Sequence, residues 1–176
     1  AGIAVDLGVR EAECAEQVLG FGRAMTHQLP MVCCKAAMSV DGHIATVSGE
    51  SQWITGEAAR ADVHHMRKTH DAILVGIQTV LKDDPQLNCR LPTSTDDVSP
   101  SVVQPIPVIL DSQLRIPDSA AVFRAHSRVI VCCAEDAPER KLSAEVVRIP
   151  MEKDGLSVEA VLNQLAIRGI HRVLVE

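Results

Sequence analysis

Aromatic side chains are almost missing from this sequence. Of 176 residues only Trp53, Phe21 and Phe123 carry a six-membered ring, and there is no tyrosine. Three rings cannot build a stacking platform for single-stranded nucleic acid, and a net charge of −6 leaves no broad surface for a polyanion. Nucleic acid is therefore not expected as a partner. No run approaches the roughly 18 apolar residues of a membrane span, and no basic-then-apolar signal segment is present, so the expected setting is cytoplasmic, with no membrane partner. The six cysteines form no C-x-x-C pair, and the seven histidines show no H-E-x-x-H or comparable spacing. Neither a disulfide framework nor a metal site is expected, and a reducing compartment suits the thiols. The dinucleotide fingerprint G-x-G-x-x-G and the phosphate loop G-x-x-x-x-G-K-[ST] are also missing. The nearest stretch, G-F-G at 20–22, follows a helical segment instead of a strand.

What remains is enough for one core built from Val, Ile, Leu, Ala, Met and Cys, since 47% of the residues are hydrophobic. Helix formers fill 10–20, and 31–38 reads as a buried strand closed by the S-V-D-G turn signal at 39–42. Residues 55–70 form the clearest helix, with Thr55 as N-cap and Arg67, Lys68 and His70 at its negative end. A strand at 71–77 leads into a short helical turn ended by Pro85, and the proline-rich stretch 91–106 is expected as a surface loop. Further strands are expected at 107–111, 128–133 and 145–149. A helix follows, capped by Ser157 and ended by Gly169, and then a last strand at 171–176. Apolar strands alternating with helices indicate an α/β sheet covered on both faces. In such sheets ligands collect beyond the carboxyl ends of the strands, where Ser39, Asp41, Thr79, Asp83, Asp111, Ser112 and Glu176 all fall.

Two features raise the question of a site. Trp53 stands in GESQWIT, among small polar residues, where it serves either as a half-buried loop anchor or as the wall of a ligand site. In the helix that follows, Arg60, His64 and Arg67 lie at i, i+4 and i+7 as a basic stripe, beside an apolar stripe of Ala59, Val63 and Met66. A basic stripe is ordinarily a solvated face, yet an arginine fork suits phosphate oxygens better than a lysine point charge.

A series of motifs in fixed order adds to this. They are K-A-A-M-S-V-D-G at 35–42, G-E-S-Q-W-I-T-G at 49–56, and A-R-A-D-V-H-x-M-R at 59–67. H-D-A-I-L-V-G-I-x-T-V-L-x-D-D-P-x-L at 70–87 and P-V-I-L-D-S at 107–112 complete the series. Together they resemble the reductase domain of the bacterial riboflavin-biosynthesis deaminase/reductase, the 5-amino-6-(5-phosphoribosylamino)uracil reductase. The likeness covers residues 30–176, while 1–29 resembles the tail of a preceding deaminase domain and its linker. It implies a dihydrofolate-reductase-like α/β fold and an NADPH-dependent reduction in which the open imine or carbonyl form of the ribosyl group becomes ribityl. It also implies a small phosphorylated pyrimidine substrate and a homo-oligomer.

Carried over motif by motif, cofactor contacts fall on Ala37, Trp53, Thr79, Asp83 and Ser112. Substrate contacts fall on Ser51, Arg67, Leu87, Arg90 and Glu176, with Arg67, Arg90 and the Ser51 hydroxyl on the phosphate. Lys35 and Glu176 are the candidates for orienting and charge-balancing the reacting imine, and no metal is implied. The deaminase signature, H-x-E with P-C-x-x-C, is not in this chain. The family continues past the strand-end glutamate into a glycine pair that lets backbone N–H groups approach a pyrophosphate. The apolar run 171–176 is expected as an inner strand, and the segment is expected to lack C-terminal strands, which would leave the far edge of that strand unpaired. Two other readings stay open: a non-catalytic nucleotide- or cofactor-binding fragment, and a reductase of the same fold acting on a pteridine-like substrate.

Overall fold

The computed structural model describes residues 2–51, 53–90 and 103–176; most of the loop expected at 91–106 lies outside them. Helices α1 (Glu11–Gln17) and α2 (Leu19–His27) precede strand β1 (Met31–Cys34). Helix α3 (Glu57–Lys68), β2 (Ala72–Gly76) and α4 (Ile77–Asp83) follow. Then come β3 (Ile106–Leu110), α5 (Ala121–Ala125), β4 (Ile130–Ala134) and β5 (Glu145–Ile149). A small antiparallel pair, β6 (Met151–Glu152) and β7 (Gly155–Leu156), leads into α6 (Val158–Ile167) and β8 (Arg172–Val175).

The six long strands form one sheet in the order β1-β8-β2-β3-β4-β5, every neighbouring pair parallel. Strands β2, β3 and β4 are buried on both faces, as near-continuous apolar runs require. Alternate side chains feed two cores. Ile73, Val75, Ile109, Val131 and Cys133 pack on one face with Leu114, Ile116 and Val122. Leu74, Val108, Ile130, Cys132 and Val173 pack on the other with Val161 and Leu165 of α6. Cys132 and Cys133 thus point to opposite faces, and burial pushes the Cys132 thiol up to about 12, leaving it an inert core atom.

Several expectations are corrected. The last strand does not have an open edge: β8 is paired on both sides, with Val173 opposite Val32 of β1 and Ala72 of β2. Crossing back to insert between β1 and β2 shields its backbone completely, and β1 is the edge instead. Strand β1 stops at Cys34, four residues short of the expected end, and 35–38 carries no regular structure. Helix formers at 10–20 split into α1 and the start of α2 around Val18. Thr55 does not cap α3. Gly56 occupies that position with no side-chain cap, and Thr55 contributes its carbonyl to the Arg60 guanidinium at 2.8 Å. Helix α5 and the β6–β7 pair were not expected.

Other local signals hold. The Ser157 hydroxyl accepts the Ala160 N–H, and Gly169 (φ +77°) turns the chain out of α6. Gly20, in the G-F-G stretch, is a packing glycine: a Cβ there would meet Arg172 Cγ at 2.8 Å and the His171 carbonyl at 3.0 Å. It lets α2 lie against the start of β8.

Candidate active site

The carboxyl ends of β1 and β8 open into a cavity of about 540 Å³, within the usual range for a small-molecule site. Lys35 to Ala37 leave β1 into it, Glu176 leaves β8 into it, and α3 closes its outer side. No residue of α3 is fully buried, because both of its stripes line this space instead of a packed core. The basic stripe is therefore not merely a solvated face.

Its centre is an ion-paired cluster. Arg67 donates from Nε to Glu176 Oε1 at 2.8 Å and from Nη2 to Oε2 at 2.7 Å, while Nη1 donates to the Asn88 carbonyl at 2.9 Å. Lys35 Nζ stands 3.8 Å from Glu176 Oε2. The Glu176 side chain is only 9% exposed and that of Arg67 13%, so water screens the pair little. Burial pushes the Glu176 carboxyl upward, but the two-pronged Arg67 contact, helped by Lys35 and His64, outweighs it and holds the group below its ordinary value. Glu176 is thus an anion, and it commits three of the five Arg67 N–H groups together with the Asn88 carbonyl.

One helical turn earlier, His64 Nδ1 accepts the Arg90 backbone N–H at 3.1 Å, and Cys89 Sγ donates to the His64 carbonyl at 3.1 Å. Accepting at Nδ1 puts the ring proton on Nε2. Burial, then the charges of Arg67 and Arg90, lower the His64 pKa against the opposing pull of Glu176. The neutral ring follows. At the mouth, Trp53 is 73% exposed, so it is neither a core residue nor a half-buried anchor; the Arg60 guanidinium lies 4.6 Å from its ring centre. With four cations (Lys35, Arg60, Arg67, Arg90) against Asp62 and Glu176, the lining favours an anionic ligand.

Seven of the sequence-derived positions meet here: Lys35, Ala37, Ser51, Trp53, Arg67, Arg90 and Glu176. Asp83 lines an adjoining cleft of about 480 Å³ with Lys82 and 48–51, and Ser51 borders both spaces. Thr79 on α4 and Ser112 after β3 are half-buried and line neither. Leu87 is packed into the core at 3% exposure with φ +52°, so its side chain faces away from the cavity. Asp111 is not a strand-end ligand. It is fully buried and its Oδ2 accepts the Ile116 N–H inside a turn. Asn88 and His64 were missing from the expected contacts, although the i, i+4, i+7 spacing had already placed His64 on the right face. Among the described residues no group of three or more His, Cys, Asp or Glu is placed to hold a metal.

A sequence model of the family described as "RibD C-terminal domain" matches residues 30–176. The riboflavin biosynthesis protein RibD of Bacillus amyloliquefaciens is 39% identical over 181 residues, covering 100% of this chain and 47% of that protein. Among solved structures, Acinetobacter baumannii RibD (form 1) superposes with a TM-score of 0.83 at 37% identity, covering 99% of this chain and 47% of that one. The Thermotoga maritima diaminohydroxyphosphoribosylaminopyrimidine deaminase/5-amino-6-(5-phosphoribosylamino)uracil reductase gives 0.78 at 37% identity, over 96% and 45%. This chain has the dihydrofolate-reductase-like α/β fold of these neighbours. It spans about half the length of the curated relatives it matches.

Proposed function

The chain belongs to the RibD C-terminal domain family, and from that premise we propose that it reduces the ribosyl group of 5-amino-6-(5-phosphoribosylamino)uracil to the ribityl form with NADPH, a step of riboflavin biosynthesis. The observation that carries this reading is the Lys35–Glu176–Arg67 cluster at the carboxyl ends of two adjacent strands, inside a cationic cavity.

The residues present fit a nicotinamide cofactor. Ala37 leaves room beside the strand end, Trp53 offers an exposed indole backed by a guanidinium, and Asp83 lines the adjoining cleft. Thr79 and Ser112 are half-buried hydroxyl residues near the same strand ends. When bound, NADPH supplies the hydride. The chain's own work is to hold the acceptor carbon within about 3–3.5 Å of the donor and to manage charge. Lys35 Nζ, 3.8 Å from Glu176 Oε2, gives its proton to the imine nitrogen before reduction, and hydride arriving at the carbon then neutralises the iminium. The Glu176 anion balances the cationic imine. Arg90 and the Ser51 hydroxyl take the substrate phosphate, with the remaining Arg67 N–H groups beside them.

The test is NADPH oxidation by the full-length protein with the phosphoribosylamino substrate, with its dephosphorylated form, and with a dihydropteridine. Turnover that requires the phosphorylated pyrimidine supports the assignment. Turnover of the dihydropteridine alone, or NADPH binding without turnover, contradicts it.

A further inference from the structure

We infer that His64 is a positioning residue of the phosphate subsite, its Nδ1 holding the Arg90 backbone N–H and thereby fixing where the Arg90 guanidinium begins its reach over the cavity. This rests on the reading that Arg90 meets a substrate phosphate. The Arg90 side chain is exposed and lines the cavity. What fixes it is its backbone, and three bonds tie the 88–90 segment to α3. Arg67 Nη1 grips the Asn88 carbonyl at 2.9 Å, Cys89 Sγ donates to the His64 carbonyl at 3.1 Å, and His64 Nδ1 accepts from Arg90 N at 3.1 Å. Gln104 brackets the preceding residue, its Oε1 accepting the Cys89 N–H at 2.8 Å and its Nε2 donating to the Cys89 carbonyl at 3.1 Å, while among the described residues the imidazole is the group that takes the Arg90 N–H itself.

The role depends on a neutral ring. The charged groups facing His64 are Arg67 on its own helix, Arg90 on the segment it holds, and Glu176 at the end of β8. Burial and the two arginines together outweigh Glu176 and keep the ring unprotonated below the ordinary histidine range. Protonating Nδ1 would remove the acceptor and put a third positive charge beside Arg67 and Arg90.

The test uses the full-length protein. Loss of one net hydrogen bond in His64→Leu should raise the KM for the phosphorylated substrate roughly 5–10-fold while leaving kcat and the NADPH constant nearly unchanged. His64→Asn, whose amide oxygen reaches the same place as Nδ1, should restore KM. His64→Gln carries its oxygen one carbon too far and should behave like leucine, which keeps the comparison open if the leucine variant does not fold. The substrate phosphate itself titrates near pH 6, so His64→Asn is the reference for acid pH. A rise in KM seen in the wild type and not in the asparagine variant belongs to His64. An active wild type whose KM is unmoved in the leucine and glutamine variants overturns this inference alone, as does a failure of asparagine to restore KM. A wild type that leaves NADPH untouched overturns the functional reading and this one with it.

Discussion

Removing the Arg67 guanidinium, as in Arg67→Met, should expose the strength of the pair at the centre of the cavity. The substitution keeps the length and apolar body of the side chain but strands Glu176, whose side chain is 9% exposed, with only Lys35 at 3.8 Å to balance it. Breaking a buried pair from one side costs about 3–5 kcal/mol, and the surviving lysine puts the expected loss at the lower end. Urea denaturation of the full-length protein at neutral pH measures it. The pH dependence has a definite sign. Glu176 is held below its ordinary value near 4.5, so its stabilising contribution is full above that value and is lost as pH falls through the lowered folded pKa. In Arg67→Met burial is no longer outweighed, the carboxyl moves upward, and the variant's deficit should shrink on acidification. Adding Glu176→Gln should recover part of the loss, giving a coupling of about 0.5–3 kcal/mol. A pH-independent deficit, or strictly additive single substitutions, would refute the assignment of a buried, charged pair.

Two further results are expected. Arg90→Ala should weaken binding of the phosphorylated substrate by about 1.5–3 kcal/mol and leave the NADPH constant unmoved in steady-state kinetics; an equal effect on both would take Arg90 off the phosphate. Asp83→Ala should raise the NADPH constant with the thermal transition intact. By contrast Asp84→Ala should cost about 1 kcal/mol of stability, because Asp84 Oδ1 accepts the Ala121 N–H at the start of α5 at 2.7 Å; the reverse pattern would exchange the two roles.

Local chemistry made much of this legible in advance. Apolar runs at 72–76, 106–110 and 130–134 could only be sheet interior, and Ser157 and Gly169 bracket α6 as side-chain capping and positive φ require. The stripe Arg60, His64, Arg67 pointed to one helix face, but periodicity cannot say whether a face meets water or a cavity. That depended on Glu176, 109 residues away from Arg67. The apolar run of β8 marked it as an inner strand, but the same non-locality hid its second neighbour, since pairing on both edges is decided by topology and not by its own residues. The two aspartates of D-D-P look alike as letters; the approach of α5 separates Asp84, which takes the Ala121 N–H, from Asp83, which lines the adjoining cleft. Leu87 shows the limit of a motif, because its side chain turned out to serve the core.

Hydride transfer to the ribosyl carbon can be followed directly. NADPH carrying deuterium at both C4 positions of the nicotinamide, incubated with the full-length protein and 5-amino-6-(5-phosphoribosylamino)uracil, tests it by mass spectrometry of the product. The expected result is a ribityl product with one deuterium on the former C1 of the ribose. An unlabelled ribityl product, a label on the pyrimidine ring, or a substrate recovered unchanged would contradict it.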